Sequence, residues 1–297
     1  MENVDFNSSS GPNQFGKKLA QCFLEKEHQI VSATDNPDIQ LSFIRSTHKV
    51  APLVQRLDGI HFGSHHDWRT SNESIYSTYR MADAIIFQSL FDQKICNNFF
   101  GRHRNATVIY NGTNIETINQ ISPYNDSFTQ KHNKIWCCSS RWTNRPNKRL
   151  KDNIEYFLHK SNPQDGMIVL GPDSKNIIKN DRILYLGRLS WEECISIYKK
   201  SNFFVHLAFT DHCPNVVVDA RASGCHIICS SCAGTPEIAG LNSTIIQDYI
   251  WDYKSPLDYK NPPPLDFEKN RPGIHNISCD INDVADKYID VFKEVGL

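Results

Sequence analysis

The chain has 297 residues, which at about 150 residues per domain implies two domains. Its 32 basic and 33 acidic side chains leave a formal net charge of -1, so it lacks the basic surface through which counterion release drives general nucleic-acid binding, and any anion site must be local. No stretch approaches the ~18 consecutive apolar residues of a membrane span, and Met1 to Ser10 has neither a basic nor an apolar leader-like region. The chain therefore reads as cytoplasmic, with its 10 cysteines as reduced thiols rather than a disulfide framework.

In chain order, a turn at Ser9-Ser10-Gly11-Pro12-Asn13 leads into Phe15 to Lys26, where Phe15, Leu19, Ala20, Cys22 and Phe23 fall near helical spacing. The following His28 to Ser32 reads as a short strand. The runs Pro52 to Leu57, Ala84 to Phe87 and Thr107 to Tyr110 read as further strands with helical stretches between them, which suggests βαβ units. Residues 115–133 are polar, contain Pro123 and Asn125-Asp126-Ser127, and carry no sustained periodicity, so the domain junction is placed there. The expected division is a short amino-terminal domain over 1–118, a linker over 119–133, a second domain over 134–275 and a final helix within 276–297.

The second domain repeats the alternation. Lys134 to Cys138, Met167 to Leu170, Ile183 to Leu186, Phe203 to Leu207 and His226 to Cys229 are short apolar runs separated by helical segments, as in a parallel sheet covered on both faces. Ser190 followed by Glu193 is a capping box that starts a helix running to Lys200. Asn261-Pro262-Pro263-Pro264 is an extended crossing loop, because proline continues neither a helix nor a central strand. Asn282 to Val295 is amphipathic through Val284, Tyr288, Val291 and Phe292 and can cap either domain.

In an open parallel sheet, ligands bind at the carboxyl ends of strands, where helix N-termini offer unpaired N–H groups to phosphate. Three turns fall at such ends. Gly11 in the first permits close backbone approach, though an ordinary βα turn explains it equally. In the second, Arg141, Arg145, Lys148, Arg149 and Lys151 could neutralise a diphosphate or simply form a solvated helix start. In the third, Asp211 and Asp219 bracket the N-terminus of a helix that opens at Pro214-Asn215 and ends at Gly224. Together they suit hydroxyl recognition beside a phosphate; singly, Asp211 is a turn residue and Asp219 an acid complementing the helix dipole.

The stretch Asp211 to Gly224, with Cys225-His226-Ile227-Ile228 and Ala233-Gly234-Thr235-Pro236-Glu237-Ile238, resembles the donor site of retaining GT-B glycosyltransferases of family 4. Their usual Glu-x7-Glu pair is here Asp211 and Asp219. The resemblance extends through Tyr185-Leu186-Gly187, Arg141 and Lys148, and more weakly to Gly11-Pro12, Ala82 to Ser89 and Val108 to Gly112.

It implies an α/β fold of the GT-B type, two Rossmann-like domains facing across a cleft, acceptor-side first and donor-side second. It further implies that Arg141 and Lys148 bind a donor diphosphate with the N–H groups of Asn215 and Val216, that Gly11 and Leu186 line the donor site, that Asp219 holds the ribose and that Asp211 contacts the sugar. The implied reaction moves a sugar, with retention, from a UDP- or GDP-sugar to a hydroxyl of a glycan or other acceptor. The nucleotide sugar is a co-substrate, and no cofactor or metal is implied. The alternatives are a non-catalytic nucleotide-sugar-binding module or partner subunit, and a sugar-nucleotide epimerase of the same architecture.

Asp58 and His61, after the strand ending at Leu57, could orient an acceptor hydroxyl or act as a base, and equally could be surface groups of a turn. Cys229-Ser230-Ser231-Cys232 has a zinc-like spacing without a second pair and is expected to hold no metal. His65-His66-Asp67 could hold a cation or form a polar loop.

Overall fold

The computed structural model describes residues 1–8, 10–65, 67–172 and 178–296. Ser9 of the opening turn and His66 of the His65-His66-Asp67 run lie outside them. The first domain opens with helix α1 (Gly11–Glu25) and alternates strands β1 (Gln40–Phe43), β2 (Leu53–Leu57), β3 (Ala84–Phe87) and β4 (Ala106–Val108) with helices α2 (Trp68–Met81) and α3 (Leu90–Phe100). The four strands form a parallel sheet in the order β1-β2-β3-β4. Alternate residues serve opposite faces: Leu53, Leu57, Ile85 and Phe87 pack toward α2 and α3, whereas Val54, Ala84 and Ile86 pack toward α1.

His28 to Ser32, expected as a strand, is irregular and largely exposed, and the strand is Gln40–Phe43 instead. Only Ile30 and Val31 are apolar in the first segment, too few to cover a sheet edge. In β1 the polar side chains are satisfied internally, with Gln40 Nε2 donating to His48 O at 2.7 Å and Ser42 Oγ to Arg45 O at 2.6 Å, so all four residues are buried without penalty.

Residues 115–133, read as the domain junction because they carry no sustained periodicity, include helices α4 (Ile115–Gln120) and α5 (Ser127–Lys131), capped by Asn114 and Asp126. One or two turns are too short for periodicity to show. Ile118, Tyr124 and Phe128 pack on the second domain.

That domain comprises β5 (Ile135–Ser139), α6 (Leu150–Lys160), β6 (Gly166–Leu170), β7 (Ile183–Gly187), α7 (Trp191–Lys200), β8 (Phe203–His206), α8 (Asn215–Ala222), β9 (His226–Ser230), α9 (Thr235–Ile238), β10 (Ser243–Ile246) and β11 (Asn270–Pro272). Its seven-stranded sheet runs β11-β10-β9-β8-β5-β6-β7, parallel except for β11. The chain winds outward from β5 to β7 and then returns to β8 on the other side of β5, so the carboxyl ends of β5 and β8 flank the topological switch point. The predicted capping box forms, with Glu193 N donating to Ser190 Oγ at 3.2 Å and Ser190 N to Glu193 Oε2 at 2.7 Å.

The last helix, α10 (Ile281–Val295), crosses back to the first domain and packs Val284, Tyr288 and Phe292 with Phe15, Leu19 and Phe23 of α1. The segment between β10 and β11 also crosses over: Trp251 stacks on Phe62 with ring centroids 5.0 Å apart, and Leu257 N donates to Phe62 O at 2.9 Å. Phe62, Phe91, Phe209, Trp251 and Leu257 thereby form one core that spans both domains.

Candidate functional site

The loop leaving β5 carries Arg141. It is pinned by Trp142 Nε1, which donates to Leu170 O at 2.7 Å. It then turns through a short 3-10 helix, Pro146–Lys148, whose Asn147 O accepts from Phe209 N at 2.7 Å. That backbone bond brings Lys148 against the loop after β8, where it pairs with Asp211 Oδ2.

The five cations of this segment have different fates. Arg149 turns inward at φ 54° and is buried, with Nη1 and Nη2 on Asp248 at 2.6 and 3.2 Å and Nη2 also on Pro263 O at 2.5 Å. It anchors the proline loop and is not available to a diphosphate. Lys151 faces water beside Glu155 at 3.4 Å. Arg141 and Arg145 are exposed, and their side chains make no ion pair among the described residues.

Asp211 Oδ2 also accepts from His206 Nε2 at 3.1 Å, while Oδ1 has no hydrogen-bond partner among the described residues and is not sealed from solvent. Burial alone would raise this carboxyl, but Lys148 and His206 outweigh it and hold it well below the usual carboxylate range. His206, fully buried, is lowered from its ordinary value chiefly by desolvation and so favours the neutral form.

Helix α8 begins at Asn215 after Pro214, with no side-chain cap and no acid in its first turn. Its leading N–H groups, at Asn215 and Val216, have no intrahelical acceptor. Helix α1 begins the same way after Ser10, with no side-chain cap and no acid in its first turn. The two N-termini meet across the domain interface, where Asn215 Nδ2 donates to Gly11 O at 2.8 Å and Asn215 Oδ1 accepts from Asn111 Nδ2 at 2.8 Å. Two helix dipoles thus present their positive ends to one place, an arrangement that an anion relieves.

Asp219 lies beyond the first turn of α8, so it is not the simple dipole-complementing acid that the sequence allowed. It is buried, with Oδ1 on Lys18 Nζ at 3.0 Å and Oδ2 on Trp191 Nε1 at 3.0 Å. Lys18 also donates to Thr113 Oγ1 at 2.9 Å and sits 4.8 Å from the Trp191 ring centroid. Leu186 is half-buried near the end of β7, at the carboxyl edge of the same sheet.

On the amino-domain side, Asp58 pairs with Arg56, whose guanidinium is fully buried between Phe15 and Phe43, 4.5 and 4.9 Å from their centroids, and donates to Asn111 Oδ1 at 2.7 Å. The carboxylate expected as an acceptor base is therefore occupied in neutralising an interior cation. His61 is exposed, its backbone N held by Asn72 Oδ1 at 2.8 Å.

His212, next to Asp211, reaches into the first domain, where its Nδ1 lies 3.2 Å from Asp92 Oδ1 and its ring packs on Gly59. Gly59 has φ +113°, and a Cβ there would collide with that ring. Glu237 crosses the same interface and accepts from Leu90 N and Phe91 N at 2.7 and 2.8 Å, capping α3.

Cys229 and Cys232 are buried free thiols, and burial pushes Cys232 up to about 12. His65 pairs with Asp258 at 2.7 Å, and Asp67 caps α2. Of the side chains that meet here, sequence reading names Lys148, Asp211 and Asp219 as candidates but not Lys18, Trp191, His206 or His212, for which no motif gives a signal.

Two α/β domains with parallel sheets, facing each other across a cleft at the switch point of the second, constitute the GT-B fold. Residues 145–253 match the model of the family Glycosyl transferases group 1. No curated protein matches the chain.

Among solved structures, HepE from Anabaena in complex with UDP is similar at 17% identity and a TM-score of 0.53, over 82% of this chain and 64% of that one. Sucrose-phosphate synthase from Thermosynechococcus elongatus is similar at 14% identity and 0.55, over 86% and 70%. An α,α-trehalose-phosphate synthase from Burkholderia xenovorans is similar at 11% identity and 0.56, over 95% and 78%. At these identities the likeness is one of fold, and the chain spans just under two thirds of the length of HepE. Among the described residues no helix is long and apolar enough to cross a membrane.

Proposed function

We propose that the protein is a glycosyltransferase that moves a sugar from a nucleotide diphosphate sugar to an acceptor hydroxyl, with retention and without a bound metal. The observation that carries this reading is the meeting of the two uncapped N-termini of α1 and α8 beside Lys148, Asp211 and Asp219. The diphosphate lies at these N-termini near Gly11, Asn215 and Val216, with Arg141 and Lys148 stabilising the charge that develops on the leaving phosphate. Asp219 takes the ribose hydroxyls, Leu186 borders the base, and the open Oδ1 of Asp211 accepts a hydroxyl of the transferred sugar. A UDP- or GDP-sugar is the donor, and the similarity to the fold of HepE, whose complex with UDP-glucose is known, makes UDP-glucose the first donor to test. The acceptor is a glycan or another hydroxyl compound. Ten free cysteines, most of them buried, fit the reducing cytoplasm.

Incubation with a panel of UDP-, GDP- and ADP-sugars, with released nucleotide as readout, tests the reaction. Arg141→Ala or Lys148→Ala is expected to lower kcat/KM by about 10²-fold, since preorganised charge at a transition state is worth roughly 3 kcal/mol per contact. Chelator is expected to leave the rate unchanged, and the anomeric coupling constant of the product reports retention. Loss of activity with EDTA and its recovery with Mg²⁺ would remove the metal-free mechanism.

The pairing of Asp58 with Arg56, which leaves the expected acceptor-side base occupied, favours a second reading, a module that binds the nucleotide sugar without turning it over. Saturable binding with no nucleotide release from any donor, with or without candidate acceptors, would select it.

A further inference from the structure

We infer that His206 is a positioning residue for Asp211: its imidazole holds the same carboxylate oxygen that pairs with Lys148 and so keeps the other oxygen turned to the cleft. The inference rests on the reading of Asp211 as the sugar contact. His206 ends β8, where its neighbours Phe204, Val205 and Leu207 are all buried and apolar. An aliphatic side chain would fill this position with no polar group to satisfy, so an imidazole that is 3% exposed there needs a partner. That partner is Asp211 Oδ2, at 3.1 Å from Nε2.

A carboxylate held by one donor can exchange its two oxygens by rotating about Cβ–Cγ. Lys148 and His206 approach Oδ2 from the 3-10 turn and from the end of β8, so the rotation would break both contacts at once. Oδ1 is then the oxygen left for a ligand, on a side chain that remains 19% exposed. Because a carboxylate only accepts, Nε2 must carry the proton, and a neutral imidazole does this without placing a second positive charge beside Lys148.

The test uses His206→Leu, which removes the donor, and His206→Gln, which restores one. Calorimetric titration with UDP and with UDP-glucose, or with the best donor of the panel and its nucleotide, is expected to show that His206→Leu binds the bare nucleotide within twofold of wild type. The same variant is expected to lose the additional affinity contributed by the sugar and to release nucleotide about tenfold more slowly, with His206→Gln recovering to within about threefold. ¹⁵N NMR of histidine-labelled wild type, which needs no ligand, is expected to show the Nε2–H tautomer at His206.

A Leu variant with unaltered sugar affinity and turnover, or a proton on Nδ1, would overturn the assignment while leaving the nucleotide-sugar reading in place. Wild-type protein that binds no nucleotide would overturn that reading, and the role of His206 with it.

Discussion

At the residue scale the site turns on two carboxylates of the same type in different surroundings. The Asp211 carboxyl is depressed below its ordinary value of 3.8 by Lys148 and His206. A depressed folded-state value means that the stabilisation is complete above about pH 5 and is lost as pH falls through 3.8 toward the folded value. In urea titrations across pH, the stability difference between wild type and Asp211→Asn is therefore expected to be flat above pH 5 and to shrink in acid. A difference independent of pH between 2 and 6 would contradict the pairing.

Ligand binding separates the two acids further. Asp219→Asn is expected to weaken UDP and UDP-glucose alike by roughly tenfold, and Asp211→Asn to weaken only the sugar-bearing ligand, as a charged acceptor of hydroxyl bonds is worth about 1.5–3 kcal/mol. Equal losses for bare nucleotide and nucleotide sugar in Asp211→Asn would remove its assignment to the sugar. Asp211 and Asp219 were visible from their spacing around a helix start. Their partners were not, because Lys18 is 201 residues from Asp219 in the chain and the link from His206 to Asp211 depends on how the chain turns after β8.

At the scale of elements, the signals that sequence reading recovered are those written within one turn of chain. The capping box of α7 is an example, since Ser190 and Glu193 satisfy each other's backbone groups without help from elsewhere. Ser190→Ala is expected to cost about 1 kcal/mol in chemical denaturation, and a loss below 0.3 kcal/mol would mean the helix start is held by its tertiary contacts. Helix α3 shows the opposite case. Its own Ser89 caps Asp92 N, whereas the two donors before it, Leu90 N and Phe91 N, are satisfied by Glu237 from the other domain. No local pattern announces such a cap. The same holds for β1, whose Gln40 and Ser42 read as polar until their loop partners are known.

The whole molecule is held together by a core that ignores the domain boundary. Trp251 and Leu257 leave the second sheet to pack with Phe62 and Phe91 of the first domain, and α10 covers α1. Trp251→Ala is expected to cost about 3–5 kcal/mol, the usual range for removing a large buried aromatic side chain. Because the shared core couples the domains, near-UV and far-UV dichroism of the wild type are expected to report one unfolding transition. Two separated transitions would show that the interface contributes little.

By itself the sequence determined the α/β class, the alternation of buried strands and amphipathic helices, the ends of α7 and α8, and the chemistry-bearing turns after β5 and β8. These follow from side-chain periodicity and from hydrogen bonds that close within a few residues. Tertiary structure decided which of the five cations near β5 remains at the site and which is buried on Asp248, that Asp58 serves Arg56, that α10 belongs against α1, and that the N-termini of α1 and α8 face one another. The physical reason is that a charge or a helix end acquires its role from the partner that satisfies it. Burial and opposite charge select that partner among groups brought together only by the packing of two sheets.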